Sequence, residues 1–96
     1  MLRKDLVTSE QLDKAFAITE EALEKVRSSG KDMLRKEQAE DFLDMATRYF
    51  QDAKHFREKE DWVLAFGALH YSHAWLDAGA RIGLFQVKDS RLFTVD

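Results

Sequence analysis

The chain has 96 residues, 34% of them charged with mixed sign, a net charge of −3, and neither cysteine nor proline. Without cysteine there are no disulfides and no thiolate metal sites, and a reducing compartment fits. The acidic balance provides no basic field for nucleic acid, and the length suits one helical domain with a real core.

The chain opens MLRKDLVTSEQ, which turns polar too soon for an apolar leader, so no secretory signal is expected. A first helix is predicted from about Ser9 to Ser29, with Thr8 as N-cap and Gln11 completing a capping box. Leu12, Ala15, Phe16, Thr19, Ala22, Leu23 and Val26 recur at three- and four-residue steps and form its apolar stripe. Gly30 is expected to end it in the left-handed conformation.

A second helix is predicted from about Asp32 to Lys59. Ala39, Phe42, Leu43, Met45, Ala46, Tyr49, Phe50, Ala53 and Phe56 fill half of its wheel, and Lys36, Glu40, Asp44, Arg48, Gln51, Lys54, His55 and Glu58 the other. Arg48 and His55 have the Arg-x6-His spacing of HEPN-type nucleases. Both lie on a mixed-charge face without phosphate-attracting surface, so solvated side chains are the expectation.

The turn Glu58–Asp61 is short and charged, and Asp61 caps a third helix predicted over Trp62–Phe85. Links this short make successive helices antiparallel neighbours. The fold class is therefore all-α, a single three-helix up-and-down bundle. A short extended C-terminal tail, Gln86–Asp96, can lie across it through Leu92-Phe93-Thr94-Val95.

The third helix carries the functional signal. Sixteen of the 24 residues in 62–85 are apolar, and only Asp77 and Arg81 carry full charge. Those two charges make a membrane span costly, about 2.5–3.5 kcal/mol each at the bilayer centre, so no membrane is expected. His70, His73, Asp77 and Arg81 fall within about 80° on the wheel and form one polar ridge, a candidate binding site. The rest is apolar, more than two neighbouring helices can shelter. Tyr71, Ala74, Trp75 and Ala78 are the candidate interface, covered by the tail, by a second copy of the chain, or by another protein. Gly79 and Gly83, with Ala74, Ala78 and Ala80, make this half of the helix thin. That suits close approach by another helix or tight packing within the monomer.

His70, His73 and Asp77 have spacing that can hold zinc or iron. No Glu-x-x-His pair or second cluster supplies further ligands, so a hydrogen-bonded ridge without metal or cofactor is expected. No phosphate loop, nucleophilic triad or cofactor fingerprint occurs, and no catalytic residue is assigned.

The segment Phe56–Phe85, with its core Tyr71-Ser72-His73-Ala74-Trp75-Leu76-Asp77-Ala78-Gly79 and the closing Arg91-Leu92-Phe93, resembles the archaeal domain of unknown function 357 family. The resemblance implies a three-helix bundle and an archaeal, cytoplasmic origin. It implies no activity and no site residues. Some relatives are expected to carry the domain beside a nucleotidyltransferase-like domain, which has no counterpart in these residues. The expected function is a non-catalytic interaction or oligomerisation module that binds itself or a protein partner through the third helix. The alternative is a small enzyme or a nucleotide- or metal-binding accessory protein using the His70, His73, Asp77 and Arg81 ridge.

Overall fold

A computed structural model describes residues 7–94. Three helices follow one another: α1 (Ser9–Ser28), α2 (Lys36–Glu58) and α3 (Trp62–Arg81), with a 3₁₀ turn at Met33–Arg35 before α2. Among the described residues there is no strand, so the all-α three-helix bundle is the observed fold.

The α1 start is set by local chemistry. The Thr8 side chain accepts from the Gln11 amide, and the Gln11 side chain accepts from the Thr8 amide, which is the expected capping box. The Asp61 carboxylate accepts from the Leu64 amide and caps α3 in the same way. The α1 stripe goes inside as its spacing requires: Leu12, Phe16, Thr19, Ala22, Leu23 and Val26 are buried.

Alanines decide how α2 and α3 meet. α2 buries Ala39, Ala46 and Ala53 at seven-residue steps, and α3 buries Ala65, Ser72 and Gly79 at the same step. A seven-residue repeat of small side chains is a seam for close antiparallel packing. At its middle the Ser72 hydroxyl donates to the Ala46 carbonyl at 2.7 Å, so its one buried polar group is satisfied.

Several boundaries differ from expectation. α2 begins at Lys36 rather than Asp32, because Asp32 accepts from the Leu34 amide and from Arg35 and folds the chain into a 3₁₀ turn first. α3 ends at Arg81 rather than Phe85. Gly83 takes φ 81°, its amide donates to Ala80 and the Leu84 amide to Gly79, which closes a Schellman cap.

The left-handed glycine is thus Gly83 and not Gly30. The α1 C-cap is Ser29 in extended conformation, and Lys31 donates its ammonium to the Val26, Arg27 and Ser29 carbonyls. Gly30 is small for another reason: a Cβ there would lie 2.4 Å from the Gln86 side chain, where the tail pairs with the loop. Between α2 and α3 the Schellman position falls on Glu60, a non-glycine residue at φ 61°.

The tail is less extended than expected. Residues 90–93 form turn and bend rather than extended backbone, with the Leu92 and Phe93 amides donating to the Asp89 carbonyl. Leu84, Phe85, Leu92 and Phe93 are all buried, so the tail belongs to the core. Val95 lies outside the described residues.

Candidate functional site

The polar ridge is divided between two surroundings. His73 Nε2 donates to the Leu92 carbonyl, and the Asp77 carboxylate accepts from the Thr94 amide. Both bonds hold the tail against α3. The tail is tied to α1 as well, by Lys25–Asp89 at 2.8 Å and by Arg91 against Glu21. The Arg91 guanidinium, hydrogen-bonded to the Glu21 carboxylate, holds its pKa below the ordinary carboxylate value. Lys25 does the same to Asp89. Glu21 in turn raises the pKa of Arg91.

His70 and His73 line a cleft of about 330 Å³ between α1 and α3, against Lys14, Ile18 and Phe66; Asp77 and Arg81 do not line it. His70 is exposed, its ring edge-on to Phe66 at 4.5 Å, and Arg81 is exposed at the helix end. The structure therefore brings His70 and His73 to one cleft and engages His73 and Asp77 with the tail. Among the described residues no three His, Cys, Asp or Glu side chains are grouped to hold a metal ion. Arg48 pairs with Asp44 at 2.9 Å on the exposed α2 face, and His55 is exposed beside Phe56.

The candidate interface residues share one surface. Tyr71, Ala74, Trp75 and Ala78 line an open groove of about 300 Å³ whose remaining wall is Phe42. Trp75 is half-buried, edge-on to Phe42 of α2 at 5.0 Å. Tyr71 stacks on Tyr49 at 4.9 Å and remains 62% exposed. The groove continues toward the start of α3 into a second depression of about 580 Å³, where Tyr49, Asp52 and Phe56 face Val63, Leu64 and Gly67.

On this side Val63 is 56%, Leu64 50% and Ile82 50% exposed. Leu64, Gly67, Tyr71, Ala74 and Ala78 step along the helix at alternating intervals of three and four, the spacing of a helix-packing seam. Val63, Leu64 and Gly67 were missed as part of the face, although that spacing in the sequence marks Leu64 and Gly67. A second exposed apolar feature, Met33 and Leu34 on the 3₁₀ turn, was hidden by placing both residues inside the second helix.

Fold and surface together define a small helical bundle with a closed core and one open apolar helix face. The family described as protein of unknown function (DUF357) matches residues 14–85, and the chain belongs to it. No curated protein and no solved structure matches the chain. No helix among the described residues is long and apolar enough to cross a membrane.

Proposed function

We propose that the protein is a non-catalytic interaction module that docks a partner helix on the open face of α3. The carrying observation is that Leu64 and Tyr71 on α3, with Ile82 at its C-cap, stay at least half exposed on one apolar side, while Ala65, Leu69, Ser72, Leu76 and Gly79 of the same helix are buried. Contiguous apolar surface of this kind marks interfaces. Small residues between the large ones, Gly67, Ala74 and Ala78, leave room for a second backbone. The resemblance to an archaeal family and the lack of cysteine support an archaeal, cytoplasmic setting for this module. The alternative of an enzyme or metal-binding site on the ridge is the weaker reading, since His73 and Asp77 are engaged by the tail backbone.

Hydroxyl-radical footprinting tests the proposal, with Leu34, 96% exposed, as internal reference. In dilute protein, Tyr71 and Leu64 should be modified readily. On association, protection should develop on Leu64, Tyr71 and Ile82 and leave Leu34 unchanged. Tyr71 and Leu64 protected already in the dilute monomer would show the face to be closed, and the docking role would fall.

A further inference from the structure

We propose that the occupant of the open α3 face is a second copy of this chain, docked antiparallel about a two-fold axis at Ala74. This inference rests on the docking reading above and names its partner.

The size of the face is the first argument. Val63, Leu64, Tyr71 and Ile82 are each 50–62% exposed. With the small residues between them they present a strip smaller than the roughly 800 Å² per partner of a standard interface, in the range of a transient one. That amount fits a dimer whose population depends on concentration.

Charge is the second. The seam from Leu64 through Gly67, Tyr71, Ala74 and Ala78 to Ile82 contains no charged side chain, although the chain is 34% charged and net negative, and of the residues lining the two depressions along it only Asp52, on α2, carries full charge. Two like-charged copies can meet on such a strip without opposing their charges. A partner recognised by electrostatics would call for a charged rim on the seam itself.

Self-fit is the third. A two-fold interface must be complementary to itself. With the axis at Ala74, the 1.5 Å rise per residue sets Tyr71 over the gap between the partner's Ala74 and the partner's Ala78. The same register sets Ile82 beside the partner's Gly67. Large side chains thus meet small ones twice, and each pair occurs again by symmetry. A parallel pair would instead set Tyr71 on Tyr71 and Arg81 level with Arg81. The antiparallel pair also sets the helix dipoles head to tail.

The absence of native cysteine makes the test direct. Ala74→Cys, at an exposed position on the axis, should give mostly disulfide-linked dimer under mild oxidation. At the same concentration Asp44→Cys, on the exposed outer face of α2, should stay monomeric. Gly67→Cys should link to Ile82→Cys in a mixture and scarcely to itself, since two Gly67 positions lie about 21 Å apart along the axis. Matching thermal midpoints would show that the variants are folded. Ala74→Cys linking no faster than Asp44→Cys, or Gly67→Cys linking mainly to itself, would overturn the proposal. In the first case, a footprint still showing Tyr71 and Leu64 open would leave docking to another protein standing. Protection of those residues in the dilute chain would remove both readings.

Discussion

The two long sides of α3 are finished in opposite ways. On one side the helix offers polar groups, His73 and Asp77, and the tail backbone comes down to meet them. On the other it offers Leu64, Tyr71 and Ile82, which the described residues leave at least half exposed. Polar side chains here serve internal structure, and apolar ones are left outside. In this bundle two of the four ridge residues, His73 and Asp77, hold the tail to α3, and the apolar side is the surface proposed for docking.

The largest expected effect separates the packed arc from the open one. Leu76 is fully buried, and Leu76→Ala should cost about 2–5 kcal/mol, through lost transfer energy plus a cavity. Leu64→Ala on the open side should change monomer stability by no more than about 0.5 kcal/mol. Chemical denaturation of both variants in dilute solution checks the contrast. Equal losses would mean that the two sides are equally packed.

Next come the two helix-interior glycines, which make the comparison sharper because the substitution is the same. A Cβ on Gly79 would lie 2.2 Å from the buried Phe85 ring, so Gly79→Ala should destabilise by about 1–3 kcal/mol. A Cβ on Gly67 would meet nothing within 4 Å. Gly67→Ala should therefore stabilise the monomer by about 0.5–1 kcal/mol, by limiting the unfolded chain and improving helix propensity. Opposite signs in thermal unfolding are the expected outcome.

Much of the fold was legible because the signals were local. The Thr8 and Asp61 caps, the α1 stripe and the charged outer face of α2 all follow from residues within a turn or two of one another. The glycine roles were not legible in the same way. Gly30 and Gly83 both follow a helix in sequence, and only the approach of Gln86 to Gly30 shows that one is a contact and the other a cap. The same holds for the ridge. His73 and Asp77 share a face by spacing, but whether that face meets solvent, a ligand or the tail depends on a backbone some twenty residues downstream. Tyr71, Ala74, Trp75 and Ala78 could be grouped in advance because an overloaded apolar wheel is visible in sequence; the Phe42 and Tyr49 wall could not, because it comes from another helix.

Smaller effects concern the covered side. His73→Ala removes a donor from the Leu92 carbonyl and should cost about 1–2 kcal/mol, with faster amide exchange over 86–94 than over α2. Acid should loosen the same segment. Glu21 and Asp89 have folded-state pKa values lowered by Arg91 and Lys25, so these pairs contribute fully above the ordinary carboxylate range. The contribution is lost as pH falls through and below that range. Because the pairs are exposed, added salt should weaken them too. Exchange of residues 86–94 that did not change between neutral and acidic pH would contradict a role for the Glu21–Arg91 and Lys25–Asp89 pairs in holding the tail. A similarly small change lies in the turn before α3, where Glu60→Gly should raise stability by about 0.5–1 kcal/mol by relieving its left-handed backbone.

Sedimentation equilibrium over a wide concentration range, comparing the native chain with Tyr71→Glu, tests the central claim most directly. The native chain should rise from its monomer mass of 11.2 kDa toward twice that value, while Tyr71→Glu stays at the monomer mass and folded, its thermal midpoint lowered only by loss of the stack on Tyr49. A native chain that remains at 11.2 kDa at the highest concentrations, or a Tyr71→Glu variant that associates as the native chain does, would contradict pairing through the open face of α3.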